Sequence, residues 1–86
     1  MPDIHRLGDP NEDEDLIIEV IQTSVFANNL LVSVDGSIVD DDDYTANGAK
    51  TVFAENIPVN YRGNPDLECE IPRAQGSPDV FVEDGA

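Results

Sequence analysis

The feature that most constrains this chain is a pattern repeated three times within 86 residues. Three glycines, Gly8, Gly36 and Gly63, are separated by 28 and 27 residues, and a Val-Phe pair follows each of them by 16 to 17 positions. Repeated units of this kind bury their apolar faces only against one another. We therefore predict one small domain, residues 1–86, made of three degenerate repeats. The Val-Phe pairs are Val25-Phe26, Val52-Phe53 and Val80-Phe81.

Turn-forming residues follow each Val-Phe pair: Asn28-Asn29, Glu55-Asn56 and Asp84-Gly85. Asn-Asn and Asp-Gly tolerate the positive φ of tight hairpins, and Glu-Asn does so less well. Pro58 cannot donate a ladder hydrogen bond, so we expect it at an edge-facing position. The pattern predicts a first hairpin from Thr23–Ala27 and Leu30–Val34, and a second from Thr51–Ala54 and Ile57–Tyr61.

The third copy is split between the two ends of the chain. Asp79–Gly85 supplies an outgoing strand and a turn, and Ile4–Pro10 aligns without a gap on Val59–Pro65. We expect the N-terminal strand to pair with Val80–Val82 and close a ring, because closure removes open sheet edges. The predicted fold is all-β: a small conical, pseudo-threefold domain of short hairpins.

Acidic connectors join the hairpins. Leu16–Ile21 is rich in β-branched residues and predicts a further strand, with a single helical turn as the alternative. Asp40–Asp43 is most simply a solvated loop, and it lacks the ligand spacing of a calcium-binding loop. The connectors are Asn11–Asp15, Ile38–Asn47 and Asp66–Glu70.

The charge balance excludes several classes of function. The chain has 19 acidic and 4 basic residues, a net charge of −15, so it lacks a basic nucleic-acid footprint. No apolar run approaches the length that spans a bilayer, and the N-terminus lacks the pattern of a secretory signal. We expect a protein made in a cytoplasm and assembled into something larger. Because self-repulsion opposes folding in so acidic a chain, a partly disordered interaction module or inhibitor for a basic partner is the alternative.

The titratable residues do not form a catalytic constellation, so we expect no enzyme activity. His5 lies in a predicted strand, with Ser33 and Asn60 as its repeat equivalents, and is interpreted as a half-exposed strand histidine. Cys69, Glu14 and Asp42 each lie six residues after a repeat glycine. On a threefold axis these three side chains would converge as a weak metal site. An unliganded cluster and three unrelated loop residues are the alternatives.

Gly76–Gly85 closely resembles the Gly-Ser-Pro-x-Val-Phe-Val-x-Gly signature of the PAAR-repeat proteins. The segment Ile4–Pro10 is similar to the Arg-Leu-Gly-Asp opening of that family, and Thr51–Pro65 is similar to a degenerate middle copy. The resemblance covers essentially the whole chain. It implies a membrane-piercing tip that caps the blunt end of a homotrimeric β-helical spike, one copy per trimer, in a contractile phage tail or a type VI secretion system.

The resemblance also implies where such a protein works and what it contacts. It implies a location in the virion tail baseplate and a transient contact with the target cell membrane. The family ties its apex with a metal, zinc or iron, through histidines and a cysteine. Here the His-Gly-Gly segments are absent, and Glu14 and Asp42 stand where histidines are expected beside Cys69. The apex is then held by packing and hydrogen bonds, or by a different ion. We expect the spike to contact the Val-Phe pairs: Val25, Phe26, Val52, Phe53, Val80 and Phe81.

Overall fold

The computed structural model describes residues 2–83 and forms an all-β structure, with no helix in this range. One antiparallel sheet has the strand order β1-β4-β5, and two separate hairpins are formed by β2–β3 and β6–β7. The all-β prediction is therefore confirmed. The strands are β1 Ile17–Glu19, β2 Phe26–Ala27, β3 Leu30–Leu31, β4 Ile38–Val39, β5 Asp43–Tyr44, β6 Phe53–Ala54 and β7 Ile57–Pro58.

Both predicted hairpins are present, with shorter strands than the sequence pattern suggested. In the first, Phe26 pairs with Leu31 across the turn residues Asn28 and Asn29, whose φ values are 54° and 65°. The second hairpin repeats this geometry, with φ values of 52° and 67° at its two turn residues. Two consecutive positive φ values are typical of the turn type that matches strand twist. Pro58 lies in a two-stranded hairpin, where each strand is an edge.

Three short segments, which we call the central strands, connect the repeats: residues 4–6, 32–34 and 59–61. Each forms a bridge to both others, through Ile4 with Tyr61, Arg6 with Val32, and Val34 with Val59. Their middle residues form a cycle of backbone hydrogen bonds. The N–H of His5 donates to Asn60 at 3.0 Å, that of Asn60 to Ser33 at 2.8 Å, and that of Ser33 to His5 at 2.9 Å.

The same hydrogen bonds also recur where each central strand meets its hairpin. The N–H groups of Ile4, Val32 and Val59 donate to the carbonyls of Val80, Val25 and Val52 at 3.0, 2.9 and 3.1 Å. The three repeat glycines have φ values of 89°, 91° and 101°. Glycine adopts this region without the steric cost that other residues incur. The backbone is therefore pseudo-threefold.

The two ends of the chain meet, as the split third copy predicts. Asp3 bridges to Phe81, and the N–H of Val82 donates to Pro2 at 2.9 Å. Closure into a complete ring stays a prediction, and the turn expected at Asp84-Gly85 lies outside the described residues. The Cα atoms extend over 27, 25 and 23 Å along the three principal axes. Such nearly equal dimensions do not show a taper, so the conical outline also stays a prediction.

Much of the apolar core consists of threefold sets. One set comes from the start of the central strands: Ile4, Val32 and Val59. A second comes from the residues that follow each phenylalanine: Ala27, Ala54 and Val82. Because each repeat contributes one small or branched side chain to each set, the core is filled without Trp. Val34, Val39 and Ile17 are also buried in this cluster.

The acidic connectors are more structured than the sequence suggested. Leu16–Ile21 contains the strand β1, which pairs with β4, so the strand interpretation is confirmed over its helical alternative. The interpretation of Asp40–Asp43 as a solvated loop is wrong for Asp43, which is 2% exposed. This run makes the turn between β4 and β5, and the turn folds the Asp43 carboxylate inward. Residues 2–83 contain no helix with the length and apolar composition that crossing a bilayer demands.

Candidate functional site

Phe26, Phe53 and Phe81 form what we call the phenylalanine face, and all three side chains are exposed. Their exposed fractions are 58%, 54% and 46%, whereas the next residue in each repeat is at most 5% exposed. Successive strand residues point to opposite sides, so burying the small residue directs the ring outward. Three half-exposed rings present on the order of 300 Å² of apolar surface. An exposed aromatic ring at the same position in each repeat makes these residues the candidate interaction site.

The valines that precede the rings contribute less to this face. Val25 and Val80 are 38% and 36% exposed, and Val52 is half-buried. Their carbonyls hold the central strands through the hydrogen bonds described above. The six residues predicted to contact a partner therefore divide into two roles: the phenylalanines are presented, and the valines position them.

Side chains from the hairpin turns fix the phenylalanine face between repeats. The Oδ1 atom of Asn28 accepts hydrogen bonds from Ser77 Oγ at 2.5 Å and from Arg6 Nη1 at 3.0 Å. At the equivalent turn position, a Glu55 carboxylate oxygen accepts from the Thr23 N–H at 3.0 Å and from Ser24 Oγ at 2.5 Å. In both cases the turn of one hairpin holds the segment that precedes another repeat's Val-Phe pair. Hydrogen bonds between repeats therefore hold the backbone that carries the rings, and we call this hydrogen-bonded backbone the frame.

The predicted metal ligands Cys69, Glu14 and Asp42 are all exposed. They are not among the groups of residues 2–83 whose ligand atoms lie within 4.8 Å of one another. Glu14 and Asp42 share a left-handed backbone, with φ values of 67° and 66°, and in the third repeat this conformation falls on Glu70, with φ 56°. A one-residue insertion therefore displaces Cys69 from the position that equal spacing assigned to it.

A different acidic group comes together beneath these turns. Carboxylate oxygens of Asp41, Asp43 and Asp66 lie within 4.8 Å of one another, and Asp43 and Asp66 are buried. Burial acts to raise the pKa of Asp43, but N–H groups of Cys69, Tyr44 and Glu68 donate to its carboxylate and lower the pKa overall. Burial and the neighbouring Asp15 carboxylate raise the pKa of Asp41. Oxygen ligands of this type suit a hard divalent cation.

A buried ion pair lies beside this acidic group. Arg73 Nη2 is 2.8 Å from Asp66 Oδ1 and 3.0 Å from Oδ2, and both side chains are fully buried. Nη2 donates a hydrogen bond to Oδ2, whereas Oδ1 makes the ionic contact but has no hydrogen-bond partner among the described residues. Asn11 Nδ2 also donates to Asp66 Oδ2 at 3.0 Å. Burial still raises the pKa of Asp66 and lowers that of Arg73.

His5 extends this network to the central strands, and its interpretation as half-exposed is wrong. The residue is 0% exposed, with Nε2 lying 3.3 Å from Arg73 Nη1. Burial, and secondly the charge of Arg73, lower the pKa of His5 to about 3. The imidazole is therefore neutral near pH 7, with Nε2 accepting from the guanidinium. The repeat pattern places His5 at the centre of the molecule, where Ser33 and Asn60 are also fully buried.

The single histidine and the single cysteine of the chain differ in their exposure. Residues 2–83 enclose no pocket, and the buried histidine and the exposed Cys69 are held in separate environments. Burial and the nearby Asp43 raise the pKa of the Cys69 thiol, so the reactive thiolate is disfavoured. The sequence interpretation missed Asp41, Asp43, Asp66 and Arg73. The only early signal was that Asn11 and Asp66 each lie three residues after a repeat glycine.

No family model matches the chain, and no curated protein matches it either.

Proposed function

We propose that this protein is a structural tip that caps the blunt end of a homotrimeric β-helical spike, one copy per trimer, as a divergent PAAR-like protein. The observation that carries the proposal is the pseudo-threefold backbone combined with one exposed phenylalanine in each repeat. A single chain with three similar units presents three similar contacts at once. A threefold partner is matched by such a surface, whereas a partner with one binding patch would need only one of them.

The phenylalanine face has the chemistry of a protein–protein interface. Aromatic side chains are enriched at the energetically dominant positions of interfaces. Each ring is exposed although the next residue in the chain is buried. Hydrogen bonds to Asn28 and Glu55 hold the frame that carries the rings. A braced frame loses little conformational freedom on docking, which favours affinity.

The acidic turns support the orientation of the proposed cap. Exposed carboxylates are concentrated in the turn that follows each repeat glycine, and a strongly charged surface is a poor site for apolar docking. The phenylalanines, and not the acidic turns, are therefore the side chains that we assign to the spike contact. The location would be the baseplate of a contractile phage tail, with the tip of a type VI apparatus as the alternative setting. The contact with the target membrane would be transient.

The test is capture of a purified homotrimeric β-helical spike protein from the same genome by the immobilised chain. We expect the wild-type chain to retain the trimer and the triple variant Phe26→Ser, Phe53→Ser, Phe81→Ser to lose it. The matched control is Leu16→Ser, Ile18→Ser, Leu67→Ser, because these three side chains are exposed to 41%, 58% and 58% outside the phenylalanine face.

Retention by the control and loss by the phenylalanine variant would support the proposal. Equal retention by both variants, or no capture by the wild-type chain, would contradict it. If the acidic wild-type chain instead captured basic proteins and bound them equally well after the phenylalanine substitutions, the interaction-module alternative would replace the cap.

A further inference from the structure

The Asn47-Gly48 pair occupies a position where the backbone tolerates asparagine and requires glycine. Asn47 has a φ of 54°, a left-handed conformation that asparagine tolerates better than most side chains. A Cβ atom on Gly48 would lie 2.6 Å from the Val59 carbonyl oxygen and 2.7 Å from Asp35 Oδ1. Neither contact is sterically allowed, so only glycine fits. An Asn-Gly sequence therefore lies at a fixed position of the backbone, and asparagine is a chemically labile residue.

The lability of Asn-Gly has a definite chemistry. After its proton is lost to solvent base, the Gly48 nitrogen attacks Cγ of Asn47, and a new N–Cγ bond forms. The Cγ–Nδ2 bond then breaks, and ammonia leaves. Water opens the resulting succinimide to aspartate or isoaspartate. The step needs only water, and it proceeds most easily before glycine because no side chain hinders the attacking nitrogen.

The structure holds the attacking nitrogen in an unreactive state. The Gly48 N–H donates to both carboxylate oxygens of Asp35, at 2.9 and 3.2 Å. Removing that proton would place a negative nitrogen beside a negative carboxylate, which is unfavourable. The Asn47 carbonyl meanwhile accepts from Asn64 Nδ2 at 2.9 Å, which restrains the peptide on the other side.

Asp35 is itself fixed by the centre of the molecule. Its Oδ1 atom also accepts from Asn60 Nδ2 at 2.8 Å, and Asn60 belongs to the backbone hydrogen-bond cycle of the central strands. The restraint on Gly48 therefore depends on the threefold centre being intact. Beyond Gly48, the Ala49 N–H donates to Val59 at 2.8 Å, so conversion of Asn47 to isoaspartate would disturb a core contact.

We propose that Asn47-Gly48 is a deamidation site. In the folded protein, Asp35 prevents the reaction by accepting the Gly48 N–H, and the site becomes reactive when the central strands separate. This inference goes beyond the proposed spike-tip function and does not depend on it. It makes Asn47 an irreversible record of unfolding: chains that have opened carry aspartate or isoaspartate at this position, and chains that have stayed folded carry asparagine.

The experiment follows the Asn47 peptide by mass spectrometry while the intact protein is incubated in mildly alkaline buffer, with and without urea. Asn47 of the folded wild-type chain should deamidate at no more than about one-tenth of the rate in the urea-unfolded chain, because only opened molecules react. Asp35→Ser replaces the carboxylate with a shorter, uncharged hydroxyl and creates no second Asn-Gly sequence before Gly36, and Asp35→Ala removes both the charge and the acceptor. Both variants should convert faster than wild type while folded. Asn64-Pro65 is the internal control, since proline has no N–H with which to attack.

Equal rates for folded and unfolded wild-type chains would overturn the proposal. So would unchanged rates in the two Asp35 variants when circular dichroism shows them folded. If those variants do not fold, amide hydrogen exchange of Gly48 in the wild-type chain decides. An exchange rate as slow as that of the central-strand amides supports the restraint, and exchange at the rate of an open chain contradicts it.

Discussion

The hairpins that carry the phenylalanine face and the acidic turns that follow the repeat glycines share one backbone symmetry but differ in how well their side chains repeat. All three repeats present the same exposed phenylalanine, two of them in hairpins and the third, Phe81, in the bridge with Asp3. At the turns, the three equivalent buried positions hold Asn11, Val39 and Asp66. The proposed threefold spike would account for this difference, because it would constrain the Val-Phe pairs from outside, whereas the turns need only be consistent with one another.

The turns are nonetheless interlocked by the same repeated bonds. The N–H groups of Glu12, Asp40 and Leu67 donate to the carbonyls of Pro72, Leu16 and Tyr44 at 3.0, 3.0 and 2.8 Å. Backbone hydrogen bonds do not depend on side-chain identity, so the interior of this layer was free to become polar. The polar residues of this layer do not follow the threefold symmetry, because, among the described residues, Arg73 and Asp66 form a buried ion pair in one repeat only. Breaking this ion pair should have the largest effect on the free energy of unfolding.

The largest expected effect is therefore in the turn layer, at Arg73→Met. The substitution leaves the Asp66 carboxylate buried without its countercharge, which costs about 3–5 kcal/mol of unfolding free energy. Urea unfolding measures it. The double variant Arg73→Met, Asp66→Asn removes both charges and should recover most of the loss. A single variant as stable as wild type would show that the ion pair is not buried as the structure has it.

The second prediction concerns the pH dependence that His5 introduces at the centre. The unfolded chain takes up a proton near the ordinary value of 6.5, whereas the folded protein resists protonation until about pH 3. The unfolded state thus binds more protons between these values, and the unfolding free energy falls as pH decreases, by roughly 1.4 kcal/mol per pH unit within the window.

His5→Asn, which copies the buried Asn60, isolates this contribution from the titration of the carboxylates. Urea unfolding at several pH values should give a shallower pH dependence for the variant than for wild type between pH 6 and 4, by about 1 kcal/mol per unit. Parallel curves for the two proteins would mean that the pKa of His5 is the same in the folded and unfolded states, and would contradict its burial as a neutral imidazole.

A third prediction compares a buried residue of a central strand with an exposed residue of the hairpin that precedes it. Val59→Ala removes part of a threefold core set and should cost about 2 kcal/mol. Phe53→Ala removes a larger side chain but one that is 54% exposed, and should cost under about 1 kcal/mol. Thermal unfolding of the two variants gives the comparison. If Phe53→Ala proved the more damaging, the ring would be a core residue and not an interface residue.

The smallest effect is expected in the acidic turn at Glu14. Its left-handed φ of 67° strains a residue with a side chain, so Glu14→Gly should stabilise the protein by about 0.5 kcal/mol. Glu14→Ala removes the same charge but keeps the strain, which makes it the matched control. Equal melting temperatures for both variants would assign any gain to charge alone.

The sequence predicted the features that depend on a few neighbouring residues, such as turns and strand alternation. Positive φ at Asn28 and Asn29 follows from turn chemistry. Alternation predicts that Val and Phe point to opposite sides, but it does not say which of them is exposed. The sequence did not reveal which side chains meet across repeats. His5 was misjudged because its burial depends on two other central strands, distant in sequence. Cys69 was aligned by equal spacing, and the one-residue insertion before Glu70 is visible only in the backbone conformation.

The most direct test of the cap is the stoichiometry of its complex with the homotrimeric β-helical spike protein, measured by native mass spectrometry. One chain presenting three equivalent phenylalanines should bind one trimer, giving a single species of one cap and three spike subunits. Excess cap should not add to it. A species with three caps per trimer would show that each repeat does not engage its own spike subunit, and would contradict the threefold account.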